Sequence, residues 1–337
     1  VKVLVTGGAG FIGSHCCVDL AIHDNEVVVV DDHSNSSPRA LERVAELAGR
    51  DIPSYAIDVR DPDALDAVFR EHELDAVVHF AARKAVGESV EMPIEYYDSN
   101  VGGLLNLLRT MRAHDVGRLV FSSSCSIYGD ADEVPIREES PARPASPYAR
   151  TKWFCEQILA DACAREAGWS VMALRYFNPV GAHESGRIGE DPRGVPNNLM
   201  PYLTQLAVGR LRELSVFGDD YPTVDGTGVR DYIHVMDIAE GHRVALDHMD
   251  APGFQSLNLG TGTGTSVLQL LAAFTEVCGR ELPYRIVARR PGDVAELVAA
   301  PDRAARELGW RSRRDVVDMC RDAWHFQQQN LNGYDLV

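Results

Sequence analysis

The chain has 337 residues, 45% of them hydrophobic and 25% charged, enough for about two domains with cores of their own. Its 33 Lys and Arg stand against 50 Asp and Glu, a formal net charge of −17 with no basic stripe to offset it. That balance argues against a nucleic acid or an anionic membrane surface as partner. The longest apolar runs fall well short of the ~20 residues of a membrane span, and no basic segment followed by an apolar stretch reads as a secretory leader. Seven cysteines without a CxxC pair or zinc spacing fit a reducing compartment, so a cytoplasmic protein without a metal centre is expected.

Strands and helices alternate in the first half. Apolar strands are predicted at residues 2–6, 26–30, 55–57, 76–80, 118–121 and 171–176. Helices are predicted at 11–23, 39–47, 62–72, 94–114 and 147–165. Fully apolar strands between amphipathic helices predict a parallel sheet covered on both faces, an α/β, Rossmann-like doubly wound domain over residues 1–178. Residues 179–198 are rich in Gly, Pro and Asn and read as a loop lining a site. Helices predicted near 200–208, 235–248, 267–278 and 301–308, with short strands between them, make 179–337 a second, smaller α+β domain for substrate, with some segments crossing back.

VLVTGGAGFIG places Gly7, Gly10 and Gly13 between the first strand and the first helix. Glycine there lets the backbone approach a pyrophosphate, and the helix N-terminus offers unpaired N–H groups to that anion. Asp31 ends the second strand, where a carboxylate accepts from an adenosine ribose and repels a 2′-phosphate, so NAD is favoured over NADP. Asp58, ending the third strand, stands where it can hold an adenine edge, or it is simply a turn former. The later GTGTGT run at 260–265 imitates a phosphate loop and reads as a strand–helix turn.

Tyr148 and Lys152 stand four apart in SPYARTK, one helical turn, so both side chains point the same way. A phenol of pKa about 10 is a poor base at neutral pH. One ammonium at ~4–6 Å contributes about 3–4 kcal/mol at an effective dielectric near 20, and a pyridinium adds to it. In FSSSCSIYG, the serines at 122, 123 and 124 end a strand on the ligand-binding rim of the sheet. Spacing alone does not separate them; Ser124 is the one assigned to the substrate hydroxyl.

With these, HFAARKAVGESV, EYYDSNVGG, RYFNPVGAHESGRIGEDP, GVPNNLMPY, VFGDDYPTVDGTGVRDYIHV and RRPGD cover nearly the whole chain. The sequence resembles the extended short-chain dehydrogenase/reductase family, and within it the epimerases of UDP-hexoses. The resemblance implies interconversion of UDP-glucose and UDP-galactose with tightly held NAD, in a homodimer. It implies that Phe11, Ile12, Asp31, Asn35, Ser36, Asp58, Val59, Phe80, Ala81, Lys84, Ser99 and Phe177 line the NAD site beside the three glycines. It makes Ser124, Tyr148 and Lys152 the catalytic set. It gives Asn178, Asn197, Phe217, Arg230, Arg290, Asp293 and Leu297 to the UDP-sugar, with Arg230 and Arg290 suited to fork a diphosphate. Ser99 replaces the family's asparagine, and Leu297 is intermediate in size at the position that sets the hexose pocket. A dehydratase on this fold needs a further acid–base pair beside the serine, which Cys125–Ser126 lacks. A non-catalytic NAD sensor has no need of the full Ser/Tyr/Lys set.

Overall fold

In a computed structural model, all residues but Val195, Pro291 and 335–337 are described. The chain forms two compact units and passes between them more than once. The first comprises Val1–Gly129, Ala142–Arg175 and Ala239–Leu257; the second comprises Asp130–Pro141, Tyr176–Ile238 and Asn258–Val337.

The first unit is built on strands β1 (Lys2–Thr6), β2 (Glu26–Val30), β3 (Ser54–Tyr55), β4 (Ala76–His79), β5 (Arg118–Ser124) and β6 (Ser170–Tyr176). Their helices are α1 (Phe11–Ile22), α2 (Pro38–Ala48), α3 (Pro62–Glu71), α4 (Val86–Glu91), α5 (Pro93–Tyr97), α6 (Gly103–Ala113) and α7 (Pro147–Arg165). The sheet order is 3-2-1-4-5-6, with β11 (Gly253–Leu259) added beyond β6, and β3, β2, β1, β4 and β5 pair in parallel. The order reverses beside β1, the arrangement that opens a ligand crevice at the carboxyl ends of the strands. Leu4, Val28, Leu65, Val77, Leu104 and Leu119 meet in one core, because strands covered on both faces bury successive side chains.

Three of these helices start alike, on an N-cap Ser37, Asp61 or Ser146 followed by proline. Each cap side chain accepts from a first-turn N–H, while proline presets φ and has no N–H to leave unpaired.

The single helix predicted over 94–114 is instead α5 and α6 joined by a π-turn at Asp98–Gly102. Asn100, buried at this turn, hydrogen-bonds the backbone N and O of Arg83 and the Thr151 hydroxyl, and that fixation outweighs regular winding. β5 runs three residues past its predicted end, carrying all three serines in the strand. The helix α4 carries no sequence expectation.

The second unit holds β7 (Asn178–Val180), α8 (Leu199–Ala207), β8 (Leu214–Phe217), β9 (Val229–Arg230) and β10 (Tyr232–His234). The helix α9 (Val235–Asp247) leads back into the first unit and on to β11. The second unit then continues with β12 (Thr265–Ser266), α10 (Val267–Cys278), β13 (Tyr284–Val287), β14 (Glu296–Leu297), α11 (Asp302–Leu308) and α12 (Val316–Gln329). Met200, Leu203, Leu214, Leu270, Phe274 and Trp324 form its core. No helix of the described residues is long and apolar enough to cross a membrane.

Candidate active site

Gly7 turns the chain at φ +72° out of β1, where a Cβ would lie 2.7 Å from the Ala81 backbone nitrogen. A Cβ on Gly13 would lie 2.2 Å from the Gly7 carbonyl oxygen, so the turn and the first helical residues can pack only as bare backbone. No side chain caps α1 at Gly10, and no acidic residue occupies its first turn. An uncapped helix end behind a glycine cradle fits a diphosphate anion.

The buried Asp31 carboxylate accepts from the Ala9 backbone at 2.9 Å, the His33 backbone at 2.9 Å and the Ser36 hydroxyl at 2.6 Å. It therefore ties the glycine turn to the 33–36 loop, with Asn35 exposed on that loop. Phe80 and Ala81 follow β4, both bonded through N–H to the Thr6 carbonyl, at 2.9 and 3.1 Å. Asp58 is held by Arg60, whose guanidinium keeps that carboxyl below its usual range. Val59 is buried against the core and Lys84 is exposed ahead of α4. Ser99 lies within the π-turn. Phe11, Ile12, the glycines, Asp31, Asp58, Phe80 and Ala81 thus lie along the carboxyl edge of the sheet, whereas Phe177 is buried in the second unit.

On the same unit, Ser124 ends β5, and its hydroxyl lowers the pKa of the Tyr148 phenol. Lys152, one turn along α7 and 3% exposed, donates from Nζ to the Ser122 carbonyl at 2.7 Å and lies over the Phe121 ring. Burial pushes the Tyr148 phenol up to about 12, against the Ser124 hydrogen bond that lowers it, and pushes the Lys152 ammonium down to about 8. Without cofactor charge the phenol is therefore protonated at neutral pH. Burial thus opposes the attraction that the spacing argument assigns to Lys152 and the NAD⁺ ring together.

In the second unit, Arg290 lies 4.5 Å over the Phe217 ring and its Nε donates to Asp293 at 3.2 Å. Arg230 pairs with the other oxygen of Asp293 at 3.6 Å and stands opposite Leu297 in the β9–β14 register. Two guanidiniums bridged by one carboxylate and backed by an aromatic ring make the local positive patch that an acidic protein needs for an anionic ligand. Asn178 lies in β7 and Asn197 is exposed ahead of α8.

The 260–265 glycine run is already occupied. The buried Asp231 carboxylate accepts from the backbone N–H groups of Thr261, Gly262 and Ala299 and from the Thr261 hydroxyl, at 2.7–3.2 Å. A carboxylate of the chain itself thus takes donors that a phosphate would use.

Sequence reasoning missed the buried pair behind Ser124, Tyr148 and Lys152. Glu156 is fully buried and accepts from Arg175 Nε at 2.9 Å, Arg175 Nη2 at 2.5 Å and the Ser123 hydroxyl at 2.5 Å. Its signal was a carboxylate four residues after Lys152 on a helix face that is otherwise packed inward.

Residues 3–260 match the sequence model of the NAD dependent epimerase/dehydratase family. A UDP-glucose 4-epimerase of Bacillus subtilis is 54% identical over 335 residues, covering 99% of each chain. One of Mus musculus is 50% identical over 341 residues, covering 99% of this chain and 98% of its own. The crystal structure of UDP-glucose 4-epimerase from Bifidobacterium longum in complex with NAD⁺ and UDP superposes with a TM-score of 0.96 at 49% identity, covering 99% of this chain and all of that one.

Proposed function

Because the chain belongs to the NAD dependent epimerase/dehydratase family, we propose that it interconverts UDP-glucose and UDP-galactose, the work of an NAD-dependent isomerase. The observation that carries this reading is the placement of Tyr148 and Lys152 one turn apart on α7, with the Lys152 ammonium bonded to the Ser122 carbonyl on the strand that ends in Ser124.

The first unit serves as the NAD domain. The α1 N-terminus and its glycine turn hold the diphosphate, and Asp31 holds the adenosine ribose. NAD⁺ held there would supply the hydride acceptor for the sugar C4 and a positive ring that favours the Tyr148 phenolate. Tyr148 then takes the proton of the 4-hydroxyl and later gives it back, while Ser124 donates to the same oxygen as charge develops on it. Lys152 keeps a positive charge beside the phenol.

The second unit serves as the UDP-sugar domain. Arg230 and Arg290 fork the diphosphate, and Phe217 with Asp293 fixes their planes. A firm grip on UDP and a loose one on the hexose let the 4-keto sugar turn over, so that hydride returns to its other face.

The protein acts as a cytoplasmic homodimer. Support for the dimer comes from Val90, Ile94 and Phe154, which are 64%, 78% and 45% exposed on α4, α5 and α7, three helices that pack together. Seven free cysteines, five of them buried, suit a reducing compartment.

The deciding experiment is incubation of the purified protein with UDP-galactose and no added cofactor. UDP-glucose is the expected product. Turnover that consumes NAD stoichiometrically overturns the reading in favour of a dehydrogenase.

A further inference from the structure

Lys152 and Glu156 stand at i and i+4 on α7, the spacing at which a lysine and a glutamate pair along a helix. Among the described residues no ion pair joins them. The ammonium goes to the Ser122 carbonyl at 2.7 Å, and the carboxylate goes to Arg175 and Ser123. Both side chains are buried, where an uncompensated carboxylate seeks the nearest cation. Arg175 reaches Glu156 from β6 with two nitrogens, one on each carboxylate oxygen, and its Nη1 is anchored on the Tyr128 hydroxyl at 2.9 Å. Arg175 also lies over the Tyr128 ring.

We propose that Arg175 is a positioning residue that keeps Glu156 from capturing Lys152. By holding both carboxylate oxygens, it leaves the ammonium on the Ser122 carbonyl, within the β5–α7 junction that presents Ser124 and Tyr148. The Ser123 hydroxyl completes the arrangement, since it joins Glu156 to the strand residue between Ser122 and Ser124.

The charged and titratable groups around the Tyr148–Lys152 pair bear on its pH dependence. On α7 these are Cys155 and Glu156, both in reach of Lys152, and on β4 it is His79, which burial keeps neutral. Cys125 follows β5 beside Tyr148, and Arg175 comes from β6. Among them Glu156 and Arg175 form an ion pair, so removing one leaves the other to act on Lys152.

The inference rests on the catalytic reading above, and its test separates the two. Arg175→Met is expected to lower kcat by about 10²-fold at neutral pH, within the range of general acid–base contributions. It also moves the acid limb of the kcat profile to higher pH, because Lys152 turns toward Glu156 and away from the β5–α7 junction that presents the phenol. Adding Glu156→Gln to Arg175→Met removes the competitor and is expected to restore the limb and most of the rate. Should methionine at this buried site prevent folding, Arg175→Lys carries the same test. One ammonium leaves a carboxylate oxygen open, so the limb moves up by less, and Glu156→Gln again brings it back. A purely structural pair gives the opposite pattern: single and double variants equally slow, with the limb where the wild type has it, and that result overturns the proposal. The titration of Tyr148 in the NAD-loaded protein, followed by ultraviolet difference absorbance against Tyr148→Phe, gives the same ordering of variants without a sugar substrate. An inactive wild type would thus refute the catalytic reading while the positioning claim is still decided.

Discussion

Lys152 Nζ donates to the Ser122 carbonyl oxygen at 2.7 Å, so the ammonium belonging to helix α7 is fixed to the strand that carries Ser124. The phenol it serves is pushed up to about 12 by burial. On the proposed reading, a phenolate at neutral pH draws on the ammonium and on the NAD⁺ ring together. At ~4–6 Å and an effective dielectric near 20, the ammonium alone is worth about 3–4 kcal/mol. Lys152→Met is expected to move the acid limb of kcat up by about 2 pH units or more, with activity partly recovered in alkali. Tyr148→Phe is expected to lower kcat by about 10³-fold at every pH while NAD stays bound. A Lys152→Met limb at the wild-type position would show that the ammonium does not govern the phenol.

Arg230 shares Asp293 with Arg290, so each guanidinium is held in place where the proposed reading seats a diphosphate. Arg230→Ala removes a charged fork and is expected to weaken UDP binding by about 1.5–3 kcal/mol, roughly 10- to 150-fold, with kcat little changed. Calorimetric titration with UDP checks it. An unchanged affinity removes Arg230 from the diphosphate site.

Asp231 organises the turn that looks from sequence like a second phosphate loop. Its Oδ2 accepts from both Gly262 and Ala299, and its Oδ1 accepts from the N–H and hydroxyl of Thr261. Asp231→Asn points an amide donor at one of those pairs and leaves buried N–H groups unanswered. The expected loss is about 1–3 kcal/mol of unfolding free energy by urea titration. Glycine-run binding of added phosphate in the wild type is not expected, since the carboxylate already fills the turn.

The first half of the fold was legible because parallel strands such as β1, with Val3, Leu4 and Val5 all buried, read as unbroken apolar runs. The glycine turn and the Tyr148–Lys152 spacing were legible for a related reason: each function needs a fixed local geometry that few residues supply. The π-turn was not, since its cause is Asn100 bonding to Arg83 and Thr151, residues far away along the chain. The Glu156–Arg175 pair was hidden in the same way, its partners lying on separate elements. The Tyr148–Lys152 spacing makes Lys152 and the NAD⁺ ring together the source of an acidic phenol. Burial of the phenol, which spacing does not reveal, opposes that attraction. Resemblance located Arg230, Arg290 and Asp293, but not that Asp293 bridges the two arginines.

His79 supplies a test of burial beneath the site that is independent of catalysis. It ends β4 with Nδ1 2.7 Å from the Thr6 hydroxyl and its ring stacked on Phe121. Burial, reinforced by the charge of Lys152, pushes its pKa down to about 3, so the native protein keeps it neutral. The unfolded chain binds a proton there near pH 6.5. Between those two values the unfolded state holds more protons, so stability falls as the pH drops, by about 1.4 kcal/mol per unit for this one group. From pH 7 to pH 5 the contribution lost is about 2 kcal/mol. His79→Asn preserves an acceptor for Thr6 and has no such titration. Urea unfolding at the two pH values should therefore show the wild type losing about 2 kcal/mol more than the variant, the carboxylates contributing equally to both. Equal losses would mean that His79 is protonated in the native protein, a second buried cation beside Lys152 competing for the same strand edge.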